Sequence, residues 1–474
     1  MKVIKNYIYN ASYQLLVVLL PLITTPYVTR VLTSSGYGVY TYTFTNIQYF
    51  VLLAGMGVAI YGNREVAYYA TNENKDKLSN IFWEIVIIKM FSSGVAFVAF
   101  FFLLFASNMR FKLLMGIQSI NILSVVFDIS WFYMGLEQFK VTVFKNTVVK
   151  ILSIILIFLL VKSKSDIYLY TFIMGGSLLF GNLTLWPQLK GRVNLPKIEE
   201  LHPFRHLRPS LLLLLPQVAL QLYMQINKTL LGIMVSPTAS GFYYSSDTII
   251  KVILSIATAT GTVMLPHATK AFSEGKIDKV KSMLYESFDF VSLISFPMAF
   301  GLAAISLKMA PWFLGSAYKP VGVVMMIESM VIILNAWGNA VGEQYLLPVK
   351  KTKEYTESII AGAMANIIVI FPLIKIGGLN GAMVGYCFSE TIVFSYQLVK
   401  IRKEIVIKRL FRNSGKYLLG SLVMFFVVFY INKKMNMSLI SLFLQVCIGL
   451  FIYLLMIFIE KPSILNNLYN LKKE

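Results

Sequence analysis

Charged residues are scarce in this sequence: they make up only 14% of its 474 residues, whereas hydrophobic residues make up 57%. A soluble protein of this length needs far more polar surface. The hydrophobic residues form blocks of roughly 20, which can cross a hydrocarbon core of ~30 Å as helices, and they lack the two-residue alternation of a membrane β-barrel. The composition, with a mean hydropathy of +0.69, therefore predicts an all-α integral membrane protein.

Cysteine and histidine are also rare. Cys387 and Cys447 both lie in hydrophobic blocks, so we expect two small buried side chains and neither a disulfide framework nor a metal site. His202, His206 and His267 lie in or beside predicted loops, where a surface role is expected. No strand is followed by a glycine loop with Lys-Ser or Lys-Thr that could cradle the phosphates of ATP. We expect no cofactor beyond a coupling proton or sodium ion.

Basic residues outnumber acidic ones by 43 to 22, which gives a formal net charge of +21. They are spread over short loops and not gathered in one cluster, so a nucleic-acid partner is not expected. The N-terminus, the even-numbered loops and the tail hold roughly three times as many Lys and Arg residues as the odd-numbered loops. This bias predicts a multi-pass protein with both termini in the cytoplasm.

About fourteen transmembrane helices are predicted. They cover residues 7–32, 37–61, 79–105, 113–134, 143–161, 167–187, 209–235, 242–266, 282–306, 321–346, 355–374, 381–399, 417–432 and 439–459. The first block is too long for the core of a cleaved signal peptide and lacks a clear cleavage site. The longest predicted connections, 188–208 and 307–320, are too short to hold a soluble catalytic domain. The function is therefore expected to reside among the helices.

The two halves of the sequence carry a similar motif. It is Trp131, Gly135 and Glu137-Gln138-Phe139 in the first half, and Trp337, Gly342 and Glu343-Gln344-Tyr345 in the second. The repeat unit holds six spans, an even number, so both copies should have the same orientation in the membrane. An axis along the membrane normal should then relate the two copies, with a shared cavity between them. The predicted organisation is two pseudo-symmetric six-helix lobes, with an N-lobe at 1–187, a cytoplasmic linker at 188–208, a C-lobe at 209–400, and two C-terminal helices with a cytoplasmic tail at 401–474.

Polar residues within predicted span 7 form a stripe. Its members, spaced four, four and three apart so that they share one helix face, are Gln217, Gln221, Gln225 and Lys228, with Asn227 beside them. A charge in the hydrocarbon region costs on the order of 3 kcal/mol or more, so it needs a partner, a wet cavity or a function. The stripe therefore predicts either a cavity wall that contacts substrate or hydrogen bonds between helices.

Other charges within spans leave similar alternatives. Lys251 follows Asp247 by four residues, which fits either a self-neutralising pair or a cavity role. Lys150 either lines a cavity or extends towards the cytoplasmic interface. Glu84 and Lys89 do not share a helix face well, so each is expected to pair with another helix. The acids that could neutralise a cavity lysine or carry a coupling proton are Asp128, Asp247, Asp289, Glu328, Glu343 and Glu390.

Prolines occur inside several predicted spans, where each removes a backbone donor and crowds the preceding turn. They are Pro21 and Pro26 in span 1, which ends at Arg30, together with Pro216 in span 7 and Pro297 in span 9. Bending of spans 1 and 7 at matching places would provide a gate. A static kink that packing tolerates is the alternative.

Motifs along most of the chain can be compared with known families. They are Thr25-Pro26-Tyr27-Val28-Thr29-Arg30-Val31-Leu32 with Gly36-Tyr37-Gly38; Tyr61-Gly62-Asn63-Arg64-Glu65; Asp128, Trp131-Phe132-Tyr133, Gly135, Glu137, Phe139, Lys150, Asp166 and Tyr170; and, further on, Leu231-Gly232, Gly241, Tyr243, Leu265-Pro266 and Gly315. Together they resemble bacterial polysaccharide flippases of the O-antigen, capsule and exopolysaccharide type. These form the polysaccharide-transport branch of the multidrug/oligosaccharidyl-lipid/polysaccharide exporter superfamily.

The resemblance implies a flippase in the bacterial cytoplasmic membrane. Its substrate would be an oligosaccharide repeat unit on undecaprenyl pyrophosphate. The protein would be surrounded by membrane lipids, and its further partners would be a polysaccharide polymerase and chain-length machinery. The cations expected to bind the pyrophosphate are Arg30, Arg64, Lys150, Lys228 and Lys251. The family often has an acid where this sequence has Asn227, so Lys228 lacks its usual neighbour.

Three other functions are open from the sequence. A drug/cation antiporter of the same fold should have mainly acidic residues in its cavity, whereas the candidates here are mainly basic. A flippase for the peptidoglycan precursor would share the fold and much of the chemistry. A membrane-embedded polysaccharide polymerase or ligase usually needs a sizeable outward loop, which is not predicted here.

Overall fold

The computed structural model describes residues 20–70, 75–106, 110–196 and 198–462. Every regular element within these ranges is helical, which confirms the predicted all-α fold. The first part of predicted span 1, residues 7–19, and most of the predicted C-terminal tail, residues 463–474, lie outside the described residues.

The first ten helices are α1 (20–31), α2 (Thr33–Gly55), α3 (Val58–Ala70), α4 (Lys75–Ala106), α5 (Lys112–Gln118), α6 (Ile120–Phe127), α7 (Ser130–Gly135), α8 (Phe139–Leu160), α9 (Ile167–Leu183) and α10 (Leu207–Met234). Short 3₁₀ helices lie at Lys164–Asp166, Trp186–Leu189, Ile198–Glu200 and Pro203–His206. The last of these runs directly into α10.

The remaining helices are α11 (Pro237–Ser273), α12 (Ile277–Leu314), α13 (Lys319–Glu328), α14 (Met330–Val341), α15 (Thr352–Ile401), α16 (Ile407–Leu410), α17 (Ser414–Lys434) and α18 (Leu439–Glu460). A 3₁₀ helix precedes α13 at Ser316–Tyr318, and a π-helical turn follows α14 at Gly342–Leu346. Pro297 lies inside α12 and Pro216 inside α10 without ending either helix, so bending at these prolines stays a prediction.

Ten helical segments of the described chain are long and apolar enough to cross a membrane. One of them, α15, is a hairpin of two passes, because Gly378 has non-helical backbone angles (φ 55°, ψ −127°). Its two arms lie side by side, since Gln397 donates to the Ser358 hydroxyl at 3.1 Å. The helices α10 and α11 are also long enough to span, although they are not among the ten. The count of fourteen therefore stays a prediction.

Predicted spans 4 and 10 are not continuous helices. Span 4 is divided into α5, α6 and α7, and span 10 into α13, α14 and the π-helical turn. One interruption in each falls at a serine whose hydroxyl donates to the carbonyl three residues earlier, Ser119 to Gly116 at 2.6 Å and Ser329 to Met326 at 2.8 Å. Such side-chain bonds compete with the helical ladder. Hydropathy predicted the lengths of these spans but not their interruptions.

The bend between α2 and α3 positions the start of α10. Met56 and Gly57 both have positive φ angles, 43° and 71°. A Cβ atom at Gly57 would lie 2.5 Å from the Ser210 carbonyl oxygen and 3.0 Å from the Leu214 nitrogen. Only glycine permits both this backbone conformation and this close approach. The first two turns of α10 are therefore held against the end of α2.

The chain forms two compact units, Met1–Thr229 and Leu230–Glu474, whose boundary falls inside α10. In the first unit Trp131 stacks on Phe82 with ring centroids 5.6 Å apart. In the second unit Trp337 stacks on Phe288, also at 5.6 Å. Both phenylalanines and both tryptophans are 206 residues apart in sequence. This shared packing supports the predicted duplication, whose lobe boundaries stay a prediction.

Candidate functional site

The interruption between α6 and α7 is the centre of a buried polar cluster in the first unit. Ending a helix inside a membrane span leaves carbonyl groups that need donors. Three side chains supply them: Asn182 Nδ2 donates to Ser124 O at 2.8 Å, Trp186 Nε1 donates to Phe127 O at 2.9 Å, and Lys89 Nζ donates to Asp128 O. The Lys89 ammonium also lies 3.9 Å from Asp128 Oδ2. Lys89 thus pairs with another helix, as predicted.

Lys145 belongs to the same cluster. It was placed at the beginning of predicted span 5 by the sequence analysis but was not identified there as a candidate residue. It lies inside α8, is buried, and donates to Asn182 Oδ1 at 3.0 Å. Asp128 and Lys89 both interact with it electrostatically. The signal that could have identified it is its position within an apolar block, five residues before Lys150.

A second buried cluster joins α4 to the segment that precedes α10. Glu84 accepts hydrogen bonds from the His202 nitrogen at 2.7 Å and from Arg205 Nη2 at 2.6 Å. His206 lies 2.7 Å from Glu84 Oε2 through Nε2 and 2.7 Å from the Tyr61 hydroxyl through Nδ1. Glu84 therefore contacts two side chains of the 3₁₀ helix Pro203–His206 and the main-chain nitrogen of His202, the residue before that helix. The expected surface role of His206 is wrong, because its burial completes this cluster.

The polar stripe of α10 has one buried end. Asn227 and Lys228 are almost fully buried, whereas Gln217, Gln221 and Gln225 are half-buried. The Gln217 amide donates to the Leu213 carbonyl of its own helix at 2.9 Å. The contacts of these side chains do not decide between a cavity wall and interhelical hydrogen bonding, so their role stays a prediction.

The other predicted cations of the first unit occupy different environments. Arg30 is exposed at the end of α1. Arg64 is 67% exposed; it lies 3.8 Å from Glu65 Oε1 and 5.8 Å from the centre of the Tyr61 ring. Lys150 is half-buried in the middle of α8, and its ammonium group has no hydrogen-bond or ion-pair partner among the residues that the structure describes.

The second unit holds Lys251 in an ion pair with Asp247. Lys251 Nζ lies 2.9 Å from Asp247 Oδ2 on the same helix face, which is the self-neutralising arrangement considered above. The neighbouring Ser246 hydroxyl donates to Glu328 on α13, and Glu328 also interacts electrostatically with Lys251. Two acids therefore surround this one lysine.

The remaining predicted acids contact neutral donors. Asp289 accepts from Asn413 Nδ2 at 2.9 Å and from the Tyr417 hydroxyl at 2.8 Å, which ties α12 to the beginning of α17. Glu343 accepts from Tyr355, and Glu390 lies 3.5 Å from Asn335 Nδ2. These contacts fit a structural role and leave a role in ion coupling untested.

No group of three or more His, Cys, Asp or Glu side chains within the described ranges is placed to hold a metal ion. Cys387 is half-buried and donates to the Ile327 carbonyl at 3.4 Å. The expectation of burial is wrong for Cys447, which is exposed on α18. That helix is apolar on its outer face as well, so a hydrophobic block does not by itself predict a buried side chain.

Comparisons with known proteins bear on the family and on the fold. A relative from Escherichia coli (strain K12), named "Putative O-antigen transporter", is 23% identical over 408 residues, which cover 84% of this chain and 97% of the relative. The solved structure "Lipid II flippase MurJ, inward closed conformation" has a TM-score of 0.78 at 15% identity and covers 98% of this chain and 100% of that one. An inward-facing multidrug resistance MATE family transporter has a TM-score of 0.59 at 12% identity, and the match covers 81% of this chain and 98% of that one.

Sequence and structure comparisons thus confirm the predicted resemblance to polysaccharide flippases and the prediction of a transporter instead of an enzyme. At these identities the solved structures show the fold alone. The family model described as "Polysaccharide biosynthesis protein" matches residues 3–272, more than half of the chain. The chain therefore belongs to the polysaccharide biosynthesis protein family.

Proposed function

We propose that this protein is a flippase that moves undecaprenyl-pyrophosphate-linked oligosaccharide repeat units from the cytoplasmic to the outer leaflet of the bacterial cytoplasmic membrane. It works by alternating access and makes no covalent change in its substrate. Both termini face the cytoplasm in this proposal, and a polymerase and chain-length machinery receive the product. The family and the E. coli relative support the substrate class.

Lys150 is the observation that carries the proposal. It lies in the middle of α8, where a cation is costly, and within the described ranges no protein group compensates its charge. From the centre of a helix of 22 residues the side chain cannot easily reach either interface. A membrane-embedded cation in this position is best explained by an anionic ligand that arrives with the substrate.

The pyrophosphate is such a ligand. Its negative charge needs cations already in place when it enters a low-dielectric cavity. Arg30, Arg64, Lys150, Lys228 and Lys251 are the proposed set. The ion pairs of Arg64 with Glu65 and of Lys251 with Asp247 would have to share these cations with the substrate. The polar side chains of α10, Gln217, Gln221, Gln225 and Asn227, are proposed to hydrogen-bond the sugar.

Coupling to a proton or sodium gradient belongs to the same proposal, because flipping a charged headgroup against its gradient needs a driving force. The carboxylates considered are Asp128, Asp247, Asp289, Glu343 and Glu390. Asp128 and Asp247 already pair with lysines and act as counter-ions in this scheme. Asp289, Glu343 and Glu390 each contact a neutral donor and are candidates for the coupling ion; Arg412 also attracts Asp289.

The rival functions differ in substrate. The fold is shared with a structure named as a lipid II flippase and with a multidrug transporter, so fold does not separate them. The half-buried cation Lys150 and the buried cation Lys228 favour an anionic substrate over a cationic drug. The named function of the sequence relative favours a polysaccharide precursor over lipid II.

A headgroup-accessibility assay in proteoliposomes tests the proposal. The wild-type protein should expose an undecaprenyl-pyrophosphate-linked oligosaccharide on the far leaflet, and should act on lipid II and on a cationic drug far more slowly. Lys150→Met should slow this transfer about tenfold, which corresponds to ~1.4 kcal/mol of lost interaction. Lys140→Met, an exposed lysine in the first turn of α8, is the matched control. Equal rates for wild type and K150M would contradict the cation mechanism.

A further inference from the structure

Lys145 is the most deeply buried cation of α8. It is 8% exposed, and its neighbours come from three other spans: Lys89 on α4, Asp128 at the interruption after α6, and Asn182 on α9. None of the predicted roles uses it. A lysine buried at this depth needs either a counter-ion of its own or a way to lose its proton.

Among the residues that the structure describes, the cluster does not supply Lys145 with a counter-ion of its own. One carboxylate, Asp128, faces two lysines. Lys89 is the lysine in direct contact with Asp128, because its ammonium lies 3.9 Å from Asp128 Oδ2 and donates to the main-chain carbonyl of the same residue. The other carboxylate oxygen accepts from the Ser130 nitrogen at 3.0 Å. Lys145 is therefore attracted by Asp128, repelled by Lys89, and bonded to a neutral amide.

The contact with Asn182 is compatible with both protonation states of Lys145. Asn182 Nδ2 donates to the Ser124 carbonyl, so Oδ1 is the atom that must accept from Lys145. An ammonium and a neutral amine both have an N–H to donate there. Binding or losing a proton thus requires no rearrangement of the hydrogen bond that positions the side chain.

Asp128 is the most accessible member of the cluster, since its side chain is 33% exposed whereas both lysines are buried. Asp128 is therefore the group through which we expect a proton to reach the Lys145 amine. The titratable groups that face Lys145 from the neighbouring spans are Asp128 and Lys89, and the contact from α9 is the uncharged Asn182.

We propose that Lys145 is the proton-binding residue that couples transport to the proton gradient. The inference rests on the proposed flippase function and specifies its coupling ion, because a lysine amine binds a proton and not a sodium ion. The amine lone pair takes a proton from water on one side of the membrane, and the ammonium returns it to water on the other side as the substrate headgroup crosses. Lys89 and Asp128 position this charge and balance it.

The test compares flipping with and without an imposed pH gradient, in proteoliposomes that contain a pH-sensitive dye. Wild-type protein should flip lipid-linked oligosaccharide several-fold faster when the outside is acidic, with inward proton flux. Lys145→Met and Lys145→Arg should both reduce this ratio to unity while gradient-free scrambling continues. Arginine keeps the positive charge and the donor to Asn182 but does not release its proton at these pH values.

Lys145→Arg separates coupling from structure, because a residue needed only as a buried cation would be rescued by it. Lys140→Met is the control and should retain the wild-type ratio. The proposal would be overturned if K145R or K145M kept the wild-type ratio. It would also be overturned if Glu390→Gln lost the dependence on the pH gradient while K145R kept it. Wild-type flipping that ignores the pH gradient, or follows a sodium gradient, would also overturn it and leave the flippase function standing. No flipping under any gradient would instead refute the proposed function.

Discussion

His206 Nε2 and Glu84 Oε2 lie 2.7 Å apart, and both side chains are almost fully buried. This contact fixes the segment immediately before α10 to α4. It matters for function because α10 carries the polar stripe and crosses the boundary between the two compact units. The beginning of α10 is thereby held in the first unit by side chains as well as by the close approach at Gly57.

Glu84→Ala should therefore destabilise the protein. The substitution removes the acceptor of His206, Arg205 and the His202 nitrogen, and buried donors left without an acceptor cost about 1–3 kcal/mol. Half of the Arg205 side chain is exposed, so water can compensate part of this loss. Thermal unfolding of the detergent-solubilised protein provides the measurement. Glu274→Gln, which breaks an exposed pair with Lys276, should change the midpoint little.

The sequence was sufficient to predict the membrane class and the all-α fold, because both depend on hydropathy. Helical spacing placed Lys251 on one face with Asp247 but left open whether the two form a self-neutralising pair. The sequence was not sufficient for Glu84 and His206. They are 122 residues apart, and their contact depends on how the linker folds back on α4. A local pattern that places a histidine beside a loop cannot predict that it will be buried.

Lys145 and Lys150 illustrate the same limit within one helix. Both lie in predicted span 5, yet Lys145 donates to Asn182 whereas the Lys150 ammonium has no hydrogen-bond or ion-pair partner in the described chain. Which face of α8 meets α9 is decided by packing. The repeated motif in the sequence likewise identifies Trp131 and Trp337 as equivalent residues, but it does not predict that Phe82 and Phe288 stack on them.

The contact of Gly62 with Trp131 gives a second prediction. A Cβ atom at Gly62 would lie 2.6 Å from Trp131 Cε3, and the indole ring is almost fully buried. Gly62→Ala should therefore destabilise the protein by about 1–3 kcal/mol through overpacking. Gly94→Ala on α4 is the matched control, since nothing lies within 4 Å of its added carbon. Alanine there should raise the unfolding midpoint slightly, because glycine weakens a helix by about 0.5–1 kcal/mol. Equal effects of both substitutions would mean that crowding against Trp131 is not the cause.

The Asp247–Lys251 pair can be divided into structural and transport contributions. Lys251→Met should destabilise the protein by ~2 kcal/mol, because it leaves a buried carboxylate without its cation. Asp247→Asn combined with Lys251→Met should restore most of the unfolding midpoint, since both charges are then absent. If Lys251 binds the pyrophosphate, the flipping rate of the stable double variant should stay low. Full recovery of both stability and flipping would assign the pair a structural role only.

Glu404, in the connection after α15, gives a pH-dependent prediction. Its burial opposes ionisation, but contacts with Lys351 and with the Tyr345 hydroxyl at 3.0 Å outweigh this and hold the pKa of the carboxyl below its usual value of about 4.3. The ionised form therefore stabilises the folded protein above the unfolded pKa, and this stabilisation is lost as the pH falls through the lower folded value. Glu404→Gln should lower the unfolding midpoint at pH 7, and its difference from wild type should disappear in acid. Glu286→Gln, a substitution at an exposed glutamate of α12, should show no such convergence. A difference between E404Q and wild type that is constant with pH would mean that the carboxylate charge does not provide the stabilisation.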